Sequence, residues 1–214
     1  MVDSIRDDLA RFYEHEAVNR LRGRPLGWRV AWADEFARSV ADAGRRRVID
    51  VGAGPATDAP SFRDAGIDYL GVDLAPANGV SAAEDGATVV PASLFDLPFP
   101  DATFDVGWSM STLMHVPTNE VDDALRSICR VLVPGAPLMI GQWGGSLGVL
   151  DSDHTLPGFP RHFSLRTAET NRGLLDVHGT VERWEVRDVG PDGWEYHVAV
   201  VRRPTDDGDP TNSG

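Results

Sequence analysis

No lysine occurs in the 214 residues; all 20 basic side chains are arginine. That absence excludes Schiff-base chemistry and the phosphate-gripping lysine of a P-loop together. Cysteine is nearly absent as well. Its one copy, Cys129, can form neither an internal disulfide nor a thiolate metal cluster. Within "VDDALRSICRVL" it falls on a helical pattern, as a packing residue rather than a reactive thiol. Positive charge is scarce: a formal net charge of −13 leaves no basic face for nucleic acid. Three of the acids, Asp206, Asp207 and Asp209, lie in the tail "TDDGDPTNSG", whose composition predicts disorder over 205–214. The −13 less those three charges is −10, so the rest of the chain is still acidic. No apolar run approaches the roughly eighteen residues of a membrane span, and the charged start "MVDSIRDDLARFYEHE" has no signal-peptide pattern. A cytoplasmic protein with no membrane partner is expected. The six histidines are scattered, without His-x-x-x-His or Cys-rich spacing, so no metal site is expected.

A chain of this length suits one domain, here 1–204. Residues 4–22 and 28–43 read as helices broken around "RGRPLG". Short apolar runs then alternate with helical stretches: "RVIDV", a segment to Ala65, "YLGVD", a helix to Gly86, "TVVPA", "FDVGWSM", a helix over 118–132, "PLMIGQW" and a helix near 167–177. Such alternation predicts a doubly wound, mostly parallel sheet with helices on both faces. The closing runs "TVERWEVRDV" and "WEYHVAVVRR" are separated only by "GPDG", too short for a crossover, so they are antiparallel to each other.

In "VIDVGAGPATDA" a buried strand runs into a glycine turn. Gly52 and Gly54 fall where the first parallel strand ends, the place where open α/β sheets bind ligands. A tight turn with no ligand is the alternative. The spacing Gly52-x-Gly54 begins a dinucleotide fingerprint, but its last position is Thr57. Asp50, just before the turn, would repel a pyrophosphate by a few kcal/mol at about 5 Å and an effective dielectric near 20, and would attract an ammonium. S-adenosylmethionine has an ammonium and no phosphate, so the turn favours that methyl donor. Asp73, ending "YLGVD", can accept both ribose hydroxyls of an adenosine, which suits either cofactor.

The blocks "VIDVGAGPATD", "YLGVDLAP", "ASLFDLPFPDATFDVGWSMSTLMHVP" and "ALRSICRVLVPGAPLMIG", from about Val48 to Gln142, resemble the ordered signatures of class I S-adenosylmethionine-dependent methyltransferases. The closest likeness is to the small-molecule branch with an "LPF-P-D-x-x-F-D" block. The resemblance implies a Rossmann-like seven-stranded sheet with its last strand antiparallel, S-adenosyl-L-methionine as cofactor and S-adenosyl-L-homocysteine as product. It implies lid helices over 1–44, a cofactor-binding core over 45–142, an acceptor-side loop over 143–165, and a last helix with a C-terminal hairpin over 166–204. Asp50 and the backbone of Gly52, Ala53 and Gly54 would hold the methionine end, Asp73 the ribose, and Leu74 the adenine side. Ser93 stands where relatives often carry an acid for the adenine amine, with Leu94 offering its N–H to the ring. Ser109 and Met110 would lie under the methionine, Met110 serving equally as core filler. Ala56 replaces a common glycine.

Methyl transfer is an in-line displacement with a built-in leaving group, so the protein's main work is alignment and exclusion of water. A base is needed only if the acceptor must lose a proton. His115, in "TLMHVP", is the candidate base or else a hydrogen-bonded scaffold histidine. In "WGGSLGVLDSDHTLPGFPRHFS", Trp143, Arg161 and His162 are candidates for acceptor binding, with Arg161 suited to an anion and His154 a further possibility. Tyr13 joins them from the N-terminal helix, which could equally only pack on the sheet. The partner expected is a small-molecule methyl acceptor. A non-catalytic binder of the same cofactor and a nicotinamide oxidoreductase are the competing expectations.

Overall fold

The computed structural model describes residues 2–19, 27–146, 148–150, 156–189 and 193–205. The expected break at "RGRPLG", His154, most of the "GPDG" turn and the tail from 206 onward lie outside the described residues.

Two helices come first, α1 (Val2–Val18) and α2 (Gly27–Asp42). The sheet then builds through β1 (Arg47–Val51), β2 (Asp68–Asp73), β3 (Val89–Pro91), β4 (Val106–Met110) and β5 (Pro137–Gly145), with α3 (Ala59–Asp64), α4 (Pro76–Glu84) and α5 (Val121–Val131) between them. A hairpin follows, β6 (Gly148–Leu150) against β7 (Phe163–Leu165), then α6 (Ala168–Asp176), β8 (Thr180–Asp188) and β9 (Trp194–Arg202). The large sheet has seven strands in the order β3-β2-β1-β4-β5-β9-β8. Neighbours from β3 to β5 are parallel; β9 runs antiparallel to both β5 and β8. The expected doubly wound architecture is therefore present.

Strand alternation sorts β1 between two cores. Val48 packs on one face with Phe36 of α2, Phe62 of α3, Val106 and Trp108. Ile49 and Val51 pack on the other with Leu125 and Ile128 of α5, Leu138 and Ile140. In α5 the buried positions Val121, Ala124, Leu125, Ile128 and Val131 follow the helical period, so one stripe meets the sheet. Asp122 and Asp123 in its first turn and Arg130 in its last suit the helix dipole. Trp108 is wholly buried, and truncating so large a core side chain costs about 3–5 kcal/mol. Cys129 is half-buried, and burial pushes its thiol up to about 11, away from thiolate reactivity.

One expectation is corrected. The segment 143–165 is not a plain loop: β5 runs on through Gly145, and Gly148–Leu150 pairs with Phe163–Leu165. Phe163 and Leu165 bury themselves against Met114 beneath the sheet's carboxyl edge. Strands of three residues are too short to show a period in sequence.

Candidate functional site

Strand order reverses between β1 and β4, and the crevice beyond their carboxyl ends is where such sheets bind ligands. A cavity of about 100 Å³ lies there, walled by the ends of β1 and β2, the segment after β3, the turn after β4, and α1 above. Gly52 lies at its base with φ 77°, in the left-handed region that favours glycine. A Cβ at Gly52 would overlap the side chain of Thr112, which also lines the cavity. Only a bare backbone fits that point.

Asp73, at the end of β2, lines the cavity and ties the turn together. Its Oδ2 accepts from the Gly54 N–H at 2.8 Å; its Oδ1 accepts from the Ala75 N–H and from Asn78 Nδ2, both at 2.9 Å. A carboxylate offers about four acceptor sites. Three are in use, so one remains, and a bidentate grip on two ribose hydroxyls would require a protein donor to leave. Leu74, Ser93 and Leu94 also line the cavity. Ser93 Oγ accepts from the Phe95 N–H at 3.3 Å, within its own turn.

The remaining cofactor candidates lie behind the wall. Asp50 is 1% exposed and faces the α2–α3 core with Val48, the alternation placing Val51 at the cavity in its stead. It accepts from Tyr69 Oη at 2.6 Å. Burial, then the charge of Asp58, pushes its carboxyl up to about 7. The expectation that Asp50 presents a carboxylate to the ligand is corrected accordingly. Ala53 is buried against Ala56, Ala59 and Val89, and Gly54 contributes through its bond to Asp73. Ser109 Oγ donates to the Val51 carbonyl at 2.9 Å, and Met110 packs with Tyr196, so neither reaches the cavity. The residues there are the next two, Ser111 and Thr112. Ser111 holds φ 60°, a conformation costly for a side-chain-bearing residue and concentrated at functional sites. Its N–H donates to the Gly141 carbonyl at 2.6 Å, and its Oγ bonds Tyr196 Oη at 3.1 Å. Both bonds lock the turn.

His115 lies in a 3-10 turn, Leu113–His115, and is 7% exposed. Its Nδ1 is 2.7 Å from the His162 carbonyl, which can only accept, so Nδ1 carries the hydrogen. In the neutral ring Nε2 then holds the lone pair, and it accepts a hydrogen bond from the Tyr13 hydroxyl at 2.6 Å. Tyr13 and His115 both line the cavity. His162 thus contributes its carbonyl; its ring Nε2 lies 3.5 Å from Ser164 Oγ. Arg161 lies over the rings of Phe12 and Phe163, each 4.5 Å away, with Nη1 3.4 Å from Tyr13 Oη. Trp143 packs edge-on between Trp194 and Tyr196, away from the cavity.

Helix α1 closes the site through Ile5, Arg6, Leu9 and Tyr13. Arg6 pairs with Glu120 at 3.0 Å and lies over the Phe95 ring at 4.1 Å. Glu14 accepts from the Ala77 N–H at 2.9 Å, satisfying a donor in the first turn of α4. Sequence reasoning placed Tyr13 here but missed Arg6, Glu120, Ser111 and Thr112. The signal for the latter pair was their place just past the strand end. Among the described residues no three His, Cys, Asp or Glu side chains cluster as a metal site, and no helix is long and apolar enough to cross a membrane.

Residues 49–140, which carry the turn, Asp73 and His115, match the methyltransferase domain family. The chain is therefore similar to methyltransferases in sequence over that region and in fold over nearly its whole length. Among curated relatives, an uncharacterized methyltransferase of Mycobacterium avium (strain 104) is 35% identical over 144 residues, 64% of this chain and 56% of the relative. A malonyl-[acyl-carrier protein] O-methyltransferase of Pseudescherichia vulneris is 35% identical over 101 residues, 45% of this chain and 39% of the relative. The chain thus spans about half the length of the curated relatives it matches. Its fold is that of Burkholderia thailandensis 1,6-didemethyltoxoflavin-N1-methyltransferase, solved with 1,6-didemethyltoxoflavin and S-adenosylhomocysteine. That structure has a TM-score of 0.73 at 21% identity, with 95% of this chain and 91% of the other covered.

Proposed function

We propose that this chain transfers a methyl group from S-adenosylmethionine to a small-molecule acceptor. The observation that carries the reading is the base of the cavity: a glycine that nothing larger can replace, beside an aspartate with one unused acceptor site. The fit is chemical. The turn at Gly52 admits close approach, the free site on Asp73 suits a ribose hydroxyl, and Leu74, Ser93 and Leu94 offer an apolar and amide-lined edge for an adenine. When bound, the cofactor supplies a methyl on a sulfonium that is its own leaving group. Gly52, Asp73, Leu74, Ser93, Leu94, Ser111 and Thr112 would hold it.

The rest falls to the acceptor side. The carbonyl of His162 sets the His115 tautomer so that Nε2 faces the cavity through Tyr13. An acceptor that must lose a proton can pass it to Tyr13 Oη while the Tyr13 proton moves to His115 Nε2. Helix α1 excludes water from that exchange, and a site roofed by a helix suits an acceptor small enough to be enclosed. The Burkholderia thailandensis neighbour, which holds 1,6-didemethyltoxoflavin beside S-adenosylhomocysteine, supports the small-acceptor reading. At about 100 Å³ the cavity is below the ~300 Å³ at which small-molecule sites begin. Cofactor entry therefore needs α1 to move outward.

A domain that binds the cofactor without transferring methyl is the second reading, favoured by the closed α1 and the Tyr13 bond to Nε2. Calorimetry with S-adenosylhomocysteine and with NADH tests the cofactor; binding of NADH alone would overturn it. A screen of metabolites with labelled methyl donor tests transfer, and a bound cofactor with no labelled product from any class would favour the second reading.

A further inference from the structure

We propose that Arg166 is a positioning residue that, together with the His162 carbonyl, holds His115 in a single tautomer with Nε2 toward the cavity. The proposal rests on the reading that His115 handles the acceptor's proton. Arg166 follows β7 and is 6% exposed. Its guanidinium donates to the Val116 carbonyl at 3.0 Å, the Leu113 carbonyl at 2.7 Å, Gln142 Oε1 at 3.2 Å and Asn171 Oδ1 at 2.8 Å. Every one of those acceptors is neutral. A buried arginine placed for charge neutralisation alone would be expected beside a carboxylate. This one is spread instead over two backbone carbonyls that bracket His115 on both sides in sequence.

A 3-10 turn of three residues has few bonds of its own and leaves carbonyls to be satisfied from outside. The Leu113–His115 turn keeps two such bonds, His115 N–H to Thr112 O at 3.0 Å and Val116 N–H to Leu113 O at 3.2 Å. Arg166 adds a second donor to the Leu113 carbonyl and one to the Val116 carbonyl just past the turn. Four positions earlier, the His162 carbonyl holds the His115 ring at Nδ1. Backbone and ring of one histidine are therefore pinned from the two ends of the same short strand, Phe163–Leu165, which is buried along its length. The planar fork of arginine can span two carbonyls; a lysine ammonium has no such fixed geometry. Once the fork is lost, a drift of the turn by under about 1 Å carries Nδ1 beyond hydrogen-bond range of the carbonyl. The ring is then free to exchange tautomers.

The test uses full-length protein labelled with 15N-histidine and long-range proton–nitrogen spectra above the histidine titration range, with His115 assigned from His115→Gln. Native protein should show His115 with a protonated Nδ1 and a bare Nε2. In folded Arg166→Lys both ring nitrogens should move toward the average of the two forms, while the other histidines keep their signals. Gln142→Met, which removes one neutral acceptor and keeps the cation, should shift them in the same direction by less. An unchanged His115 spectrum in folded Arg166→Lys overturns the proposal. If Arg166→Lys does not fold, an unchanged spectrum in Gln142→Met does so, and loss of folding in both assigns Arg166 to the scaffold. Titration of native protein with S-adenosylhomocysteine runs alongside. Failure to bind would sink the cofactor reading and leave the tautomer comparison standing.

Discussion

Asp73→Asn is the sharpest probe of the site, because it keeps the side chain's shape and changes only what each atom can do. The native carboxylate accepts three hydrogen bonds, two on Oδ1 and one on Oδ2. An amide has one acceptor oxygen and one donor nitrogen. Turned to keep the Ala75 and Asn78 donors, it sets its NH₂ against the Gly54 N–H and loses that bond. A bond to a charged group contributes about 1.5–3 kcal/mol, and the turn's stability should fall by that order. The same rotation replaces the unused acceptor site by a donor. If a ribose hydroxyl uses that site, S-adenosylhomocysteine affinity should fall about 10- to 150-fold, the same energy on the binding scale. Urea denaturation measures the first effect and calorimetry the second, on one preparation. A variant with the expected stability loss but affinity within twofold of native would refute the ribose placement. An unchanged stability would refute the count of bonds itself.

Three further outcomes follow from the geometry. Gly52→Ala should lose about 1–2 kcal/mol for its left-handed backbone and more from overlap with Thr112; pairing it with Thr112→Gly should recover part of the urea midpoint, and strict additivity would contradict the overlap. Asp50 has a folded carboxyl raised to about 7 against 3.8. The unfolded chain therefore ionises first, and native stability should decline as pH rises from about 4 to about 7. Asp50→Asn should flatten that decline between pH 5 and pH 8 in urea melts, and an identical slope in both proteins would count against the buried proton. Tyr13→Phe removes the hydroxyl that bonds His115 Nε2 and accepts from Arg161 Nη1; loss of the neutral bond alone, about 1 kcal/mol, should raise the S-adenosylhomocysteine exchange rate by about fivefold or more in stopped-flow, unless α1 is not the gate.

Sequence carried the architecture well, because alternating strands and helices leave few topologies open and "GPDG" forced the antiparallel end. Asp73 and Gly52 are legible for a related reason: each sits at a strand end, and strand ends in an open parallel sheet converge, with His115 in the turn that follows β4. Side-chain direction was not legible. Asp50 precedes the glycines just as a ligand-facing acid would, yet strand pleating turns it into the α2–α3 core beside Tyr69. Ser109 and Met110 stop two residues short of Ser111 and Thr112, which reach the cavity. In sequence Asp73 offers both oxygens to two hydroxyls, because its bonds to Gly54, Ala75 and Asn78 exist only once the chain has folded. Arg166 gave no signal at all: its partners are backbone carbonyls, and no motif encodes the far end of such a bond.

The helix over the cavity is fastened by contacts of unlike physical kinds. Arg6–Glu120, with its arginine 39% exposed, and Glu14 at the start of α4 are electrostatic and screened by ions; Leu9 and Phe12 are buried and apolar. Added sodium chloride weakens the first pair of fastenings, whereas an excluded salt such as sulfate strengthens the apolar ones. Ionic strength and ion identity should therefore act in opposite directions on the same gate, making the solution's salt composition a control on how long a cofactor stays enclosed.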